Sequence, residues 1–593
     1  MIRGLSASLV FVTLAIAACG ASHGPDAGAP EDAGSPCEDG QLVACFDGPA
    51  GTLGVGPCVE GVRACADGTF GPCEGQVLPA EESCNARDDD CDGTTDDEPV
   101  LACGDCDPSC AVVGYGPSED RPFDHGTARS DGATLGADGR LAPGGPVAPR
   151  DVLWAPAKSY TFARVDTLAR EVVGVHLASF DASNVQPLVA AVDYEGNAYF
   201  GNGGSGRQTS VTKALYACID ADRDGEVLTS HGPGEILEFG DDECVAWRAD
   251  LACEGFGACD EARTVAYEMR VEDDVIAERL WVGLGAELRE LDAQTGEETG
   301  ESARCGFCSS NGAAVDRDGF LWIDCGNSLC RFETRDPGAV EEFVRPDRSS
   351  QDLTLDPDGR PWTAGYIASF DPAAEEWTDF GDTFGHGVTA TADGDVYVGA
   401  CPLGDVSGSF CRVDGESLEV EVISGDLRAL AADSRGLVWG FRGGAWVYDP
   451  GTGALDPVLD CAGDPCVGGP FHQSDFTGTQ LMQSTDPPGT WKAVMEGCAA
   501  GETTTWLRLD WEADLPEGAA IRFEARAAND PEALSARVWT PVASAPRDAA
   551  PAPLGDLDAD RNGLLLEIRA TLAREPGSAP ATLTAVRVHR GCE

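Results

Sequence analysis

The chain has 593 residues, 102 of them acidic and 40 basic, and its formal charge of -62 would repel nucleic acid and anionic lipid head groups alike. Its length suggests about four domains, and an apolar share of 42% is enough to bury several cores. Lys158, Lys213 and Lys492 are its only lysines and none follows a glycine-rich loop, which excludes a GxxxxGK[ST] nucleotide site.

Residues 1–19 read as a leader: basic Arg3, an apolar run from Leu5 to Ala18, then Ile16, Ala17, Ala18 and Cys19. That ending resembles a bacterial lipobox, which implies that Cys19 carries lipid. Gly20 rather than aspartate beside it points, by resemblance to known sorting, to a lipid anchor in the outer membrane, with the body periplasmic or surface-facing. An ordinary secretory signal with a chance cysteine is the alternative. No later run approaches the roughly eighteen apolar residues of a span, so the membrane is expected as a partner only through the lipid. Export fits the other 24 cysteines, ten from Cys37 to Cys110 and fourteen from Cys218 to Cys592, even numbers that permit complete pairing.

Residues 20–36, "GASHGPDAGAPEDAGSP", have no apolar period and read as a flexible tether. Residues 37–110 are cysteine-dense and too poor in large apolar side chains to build a core, so disulfides have to close them. Within them "SCNARDDDCDGTTDDE" (83–98) places seven carboxylates in sixteen positions. Asp88, Asp90 and Asp92 occupy positions 1, 3 and 5 of a calcium loop, Gly93 the turn at 6, Thr94 the carbonyl position 7 and Asp96 position 9. Pro99 stands at position 12, with Glu98 one residue earlier as a substitute. Hard oxygen donors without histidine select Ca²⁺ over zinc or copper. The competing reading is an acidic turn held by Cys84 and Cys91. The stretch resembles a short metal-binding motif, E-x-C-[DN]-x-x-D-[DN]-D-C-D-G-x-x-D-E in outline, repeated in bacterial surface proteins including a copper-repressible methanotroph protein. That resemblance implies calcium and covers eighteen residues, with Asp97 as an addition to the pattern. The cysteine and glycine spacing before it is similar to the module that precedes this motif in large myxobacterial surface lipoproteins.

Residues 111–149 read as linker and lead-in. From there to about 468 the pattern apolar-x-apolar-D-x-x-G-x-apolar-aromatic recurs, with glycines at 196, 319, 359, 394 and 436, in steps of 123, 40, 35 and 42. A period near 40 with alternating strands means one four-stranded blade per repeat. The long first step predicts a further blade around 277–297 and an insert at 214–262 carrying Cys218, Cys244, Cys253 and Cys259. A seventh blade would start at "DVLWAPAKSYTFARVD" (151–166), and unrelated β-meanders are the alternative. The repeat's aspartates and glycines are assigned to hairpin turns, not to ligands. Beyond 468, alternating runs such as "TWLRLDWEADLPEGAAIRFEARAA" predict a two-sheet sandwich over 469–593. The fold class expected is therefore mainly β: a disulfide-rich N-terminal module, a six- or seven-bladed β-propeller and a C-terminal β-sandwich.

A weaker metal candidate, "DADRDGEVLTS", repeats the first seven loop positions with Asp220, Asp222, Asp224, Gly225 and Glu226. Leu228 and His231 fill positions 9 and 12, so the run Asp241 to Glu243 is the nearest source of more ligands. "DADRNGLLLEIR" (558–569) reads as a hairpin turn. Cys305, Cys308, Cys325 and Cys330 space like a zinc site but, in an exported chain, are expected to form two disulfides within a blade. Cys401, Cys411, Cys461 and Cys466 are further disulfide candidates, and Cys498 with Cys592 would tie the two ends of the sandwich.

The repeats also resemble the streptogramin B lyase-like family, which implies a seven-bladed fold and, in its enzymes, paired histidines with a glutamate near the channel. Here His386, in "FGHGV", is the one histidine placed in a plausible blade loop, and no HExxH or GxSxG is present. The function expected is calcium-stabilised, non-catalytic binding or adhesion towards an extracellular ligand or cell-surface partner. A propeller lyase or hydrolase using His386 and a structural envelope protein are the alternatives.

Overall fold

A computed structural model describes residues 37–80, 87–95 and 112–592, apart from 157–159, 181–184, 204–208, 223, 233, 253–260, 307, 309, 346–348, 381–386, 402–407, 461–474, 499–502 and 555–563. Strands dominate these residues, with two short helices, α1 (Thr479–Ser484) and α2 (Pro531–Ala536). The chain divides near residue 95 into two compact units.

In the first unit the strands Leu42–Cys45, Gly61–Ala66 and Thr69–Phe70 form a small antiparallel sheet. Its buried apolar side chains, among the described residues, are Cys58, Cys65 and Cys91, so sulfur takes the place of a hydrocarbon core. The bonds are Cys37–Cys65, Cys45–Cys73 and Cys58–Cys91. The third corrects the expectation of an acidic turn held by Cys84 and Cys91: the partner of Cys91 is Cys58, which ties the acidic loop to the body of the sheet. Cys84 lies outside the described residues.

The second unit contains seven consecutive antiparallel sheets, spanning 152–177, 186–251, 264–304, 313–344, 352–379, 388–424 and 428–460. The first has three strands and the other six have four. The first strands of successive sheets adjoin one another and so line the inside of the ring. Closure is visible in one apolar cluster, where Trp154 and Phe162 of sheet 1 pack with Trp439, Phe441 and Val447 of sheet 7. Phe476, beyond the last sheet, joins that cluster, and its carbonyl accepts the Trp154 backbone N–H at 2.9 Å.

The repeat's spelling has a second cause beyond the turn. Asp316 Oδ1 accepts the amides of Asp318 and Phe320, both at 3.0 Å, while Gly319 takes φ +83°, a conformation an L side chain resists. The other oxygen, Oδ2, accepts the indole N–H of Trp322 at 2.8 Å. Asp356 does the same to Trp362 at 2.9 Å and Asp433 to Trp439 at 3.0 Å. One carboxylate therefore shapes the hairpin and also pairs the polar end of the aromatic ring buried in the sheet. Removing it orphans a buried indole N–H, so Asp356→Ala is expected to cost about 1–3 kcal/mol, read as a lower denaturant midpoint at unchanged slope.

Residues 112–143, within the stretch 111–149 expected as linker and lead-in, are instead part of the C-terminal sandwich. Arg129–Asp131 pairs with Gly489–Glu496, while Val112–Tyr115 and Leu141–Pro143 both pair with Thr582–Cys592. Tyr115, Phe123 and Leu141 enter the core with Trp491, Trp506, Trp511, Phe523 and Leu583, and Trp491 donates its indole N–H to the Phe123 carbonyl at 2.8 Å. These strands are held by partners on the far side of the propeller sequence, which no local pattern reveals. Cys498–Cys592 bridges the ends of the C-terminal stretch.

The predicted sandwich boundary at 469 also moves. Leu481 of α1 packs into the apolar cluster of sheets 2 and 3. The Ser484 hydroxyl donates to the Val315 carbonyl of sheet 4 at 2.8 Å, and that of Thr477 to the Ala432 carbonyl of sheet 7 at 2.6 Å. Residues 475–485 thus lie across one end of the ring's inner strands and belong with the propeller.

Sandwich and propeller meet along Leu565–Arg574, buried on both faces apart from its ends. Ala573 and Ala520 pack on Val271 and Ile276, and beside them Arg522 pairs with Glu278 of sheet 3 at 2.6 Å.

Candidate functional site

Among the described residues, charged groups gather in the loop at 88–94, in the insert of sheet 2 and around a cleft beside Glu268. In the first unit, Asp88, Asp90 and Asp92 bring one carboxylate oxygen each within 4.8 Å of the others. The loop is set by its own amides: Asp88 Oδ2 accepts Gly93 N–H at 3.0 Å, Asp90 Oδ1 accepts Asp92 N–H at 3.0 Å, and Asp92 Oδ1 accepts Thr94 N–H at 2.7 Å. Gly93 has φ +100° at the turn position. The carboxylates converge, carry hard oxygen only, and fit Ca²⁺. Asp96 and Glu98, the remaining expected ligands, lie outside the described residues.

The insert of sheet 2 repeats the pattern. Asp220 Oδ2 accepts Gly225 N–H at 3.2 Å, Asp222 Oδ1 accepts Asp224 N–H at 3.1 Å, and Asp224 Oδ1 accepts Glu226 N–H at 2.9 Å. Of the run 241–243, Glu243 turns to this loop and accepts the amides of Ala221 at 2.6 Å and Leu228 at 2.7 Å. Asp242 turns away: its Oδ2 meets His176 Nδ1 at 2.8 Å and the Ser230 hydroxyl at 2.6 Å. Burial opposes the Asp242 charge, and the bonds and charge of His176 outweigh it, holding the carboxyl at about 2. His176 and Asp242 are both buried, and Cys218–Cys244 closes the base of the insert. Cys253 and Cys259 lie outside the described residues.

The third place is a cleft of about 190 Å³ where the propeller faces the sandwich. Glu268, Arg270 and Arg317 line it from the propeller, Asp486 and Arg574 from the chain beyond. Glu268 accepts the Thr334 hydroxyl at 2.6 Å and one Arg270 N–H at 3.2 Å, and burial raises its pKa in spite of these partners. Arg574 pairs with Asp486 at 2.9 Å, and Arg317 donates to the Pro357 carbonyl at 2.8 Å. Tyr194, its hydroxyl 2.7 Å from that of Thr485, completes the wall, and burial raises its pKa also. Donors and acceptors both line this space, a lining suited to a hydroxyl-rich or zwitterionic ligand. Tyr194 and Arg317 stand at the variable positions of two D-x-x-G turns, which the repeat does not single out, and Glu268, Arg270, Asp486 and Arg574 lie in no motif; together they come from sheets 2, 3 and 4 and the chain beyond the ring.

Cys305–Cys330 and Cys308–Cys325 tie the segment between sheets 3 and 4 to sheet 4, and sheet 6 holds Cys401–Cys411. Their sulfurs are spent in bonds. Cys461, Cys466, His386 and Asp558 lie outside the described residues.

No protein-family model matches the chain, and no curated protein matches it. Among solved structures it is similar to virginiamycin B lyase from Staphylococcus aureus, at 12% identity and a TM-score of 0.32 over 46% of this chain and 83% of that one. A streptogramin B lyase is similar at 13% and 0.33, over 56% and 94%. The extracellular domain of a one-component system from B. thetaiotaomicron is similar at 10% and 0.33, over 60% and 46%. These likenesses concern fold and carry nothing about activity. Among the described residues no helix is long and apolar enough to cross a membrane.

Proposed function

We propose that this chain is an outer-membrane lipoprotein, anchored through Cys19, that acts as a calcium-stabilised surface binding module, and that its ligand enters the cleft between propeller and sandwich. The observation that carries the reading is the lining of that cleft. Guanidinium and carboxylate groups are held there in neighbouring pairs, Arg270 with Glu268 and Arg574 with Asp486, an arrangement that orients a polar ligand without reorganising. A glycan is the ligand class favoured, because each of its hydroxyls both donates and accepts. Ca²⁺ at Asp88, Asp90, Asp92, the Thr94 carbonyl, Asp96 and Glu98 would hold the cysteine-rich module in shape.

The test is an array of glycans and proteins probed with the full chain at high micromolar concentration. A glycan signal weakened about tenfold or more by Asp318→Ala with Asp486→Ala, two acids of the cleft wall, is the expected result. A blank array, or a signal indifferent to both substitutions, would overturn the assignment.

A further inference from the structure

The insert of sheet 2 contains a buried oxygen whose chemistry the protein does not satisfy. Asp220 is 4% exposed, and its Oδ1 has no hydrogen-bond partner in the protein. Its carboxylate belongs to the group, with Asp222 and Asp224, whose oxygens lie within 4.8 Å of one another. The Arg537 guanidinium stands 4.0 Å from the other oxygen, Oδ2. A carboxylate oxygen removed from water and left unpaired is costly, and the two carboxylates converging beside it make the cost larger unless a cation is shared among the three. Glu243 brings another carboxylate to the loop from outside the run, where its oxygens accept the Ala221 and Leu228 amides, while Leu228 and His231 offer no side-chain oxygen.

We infer that the insert carries its own calcium site, formed by Asp220, Asp222, Asp224 and Glu243 with the Glu226 carbonyl. Every donor is a hard oxygen, and a loop of this kind supplies the large, adaptable shell that Ca²⁺ takes and Mg²⁺ does not need. The site is also a fastener. The Asp220 N–H donates to the Ala536 carbonyl at the end of α2, at 3.0 Å, so ordering Asp220 orders the place where the insert meets the sandwich.

The test uses the full chain, stripped of metal and titrated with Ca²⁺ alone. Together with the loop at 88–98, the wild type is expected to bind two equivalents, Asp222→Asn with Asp224→Asn one, and Asp90→Asn with Asp92→Asn one. Trypsin cleavage after Arg223 gives a readout that needs no variant: at Ca²⁺ ten times the Kd, cleavage of the wild type should slow about tenfold relative to chelator. Glu243→Gln, which keeps the shape, should weaken both effects. One wild-type equivalent lost in Asp90→Asn with Asp92→Asn would overturn the site and leave the first loop standing. Cleavage after Arg223 unchanged by Ca²⁺ would overturn it as well. One equivalent lost only in Asp222→Asn with Asp224→Asn would support the site and remove the first loop.

Discussion

Arg522→Ala is expected to destabilise the propeller and sandwich by about 3–5 kcal/mol, the range for leaving a buried charge without its partner. Arg522 is 10% exposed and holds two acids, Glu278 of the propeller at 2.6 Å and Glu524 of its own strand at 3.3 Å. Burial would push Glu278 up, yet the positive charges of Arg522 and Lys213 carry it down to about 2. The folded value lies below the ordinary 4.5, so this contribution is complete above pH 4.5 and is lost as pH falls towards 2. Glu524 keeps a second partner in Arg569 at 2.8 Å, so Glu278 bears most of the loss. Arg522→Met with Glu278→Leu should recover much of the stability, since a packed apolar pair of similar volume needs no desolvated charge. Denaturant midpoints at pH 7 for the single and double variants check this, and a single variant within 1 kcal/mol of wild type would contradict it.

Asp324→Asn is expected to act in the opposite direction. Asp324 is fully buried in sheet 4, where Oδ1 accepts the Gly326 amide at 2.9 Å and the Ser350 hydroxyl, while Oδ2 has no partner. Burial, against those bonds, raises its carboxyl to about 7. Asp352, also buried, accepts the amides of Leu353 at 2.8 Å and Val388 at 3.1 Å, and its pKa is raised by burial and further by the charge of Asp324. Because the folded value lies above 3.8, the folded state keeps a proton that the unfolded chain has released. Its contribution is full below pH 3.8 and disappears as pH rises through 7, a change of about 4 kcal/mol. An asparagine cannot ionise, so the variant should match wild type near pH 4, exceed it at pH 8, and show a shallower loss across the interval. Asp193, raised to about 6 chiefly by burial, adds a smaller slope of the same sign that the variant retains. Equal pH dependence in the two proteins would show that Asp324 is ionised in the fold at neutral pH.

The propeller was legible because its turns are spelled by local chemistry. Asp316, Asp356 and Asp433 each need a glycine three residues on and use an aromatic six residues on, so five sheets are visible in one dimension. Sheet 3 turns instead at Asp273 and Asp274, both at positive φ without a glycine, and shows only through the apolar alternation that follows. Residues 111–149 were illegible for a different reason. Arg129–Asp131, Ala133–Leu135 and Leu141–Pro143 are too short for a period; the last two pair with each other, but Arg129–Asp131 and Leu141–Pro143 are held by strands over 340 residues away. The acidic loops could be read from residues at fixed spacing, whereas the cleft depends on Glu268, Arg317 and Arg574 arriving from different sheets, which only the tertiary fold decides. The pairing of Cys91 with Cys58 has the same character: cysteine spacing allows many connectivities and the chain path selects one.

The placement of 112–143 among strands that begin at Gly489 bears on how the protein is made. During synthesis the first strands of the sandwich appear before their partners in 489–592, with only the short pair Ala133–Leu135 and Leu141–Pro143 able to form at once, and the whole propeller has to be completed as an excursion between them. Val112–Tyr115 gains its ladder partner only when Thr582–Cys592 emerges. The sandwich therefore forms last although its sequence begins first, and a chain truncated before residue 582 would present a finished ring flanked by open strand edges, the kind of surface on which nascent chains aggregate.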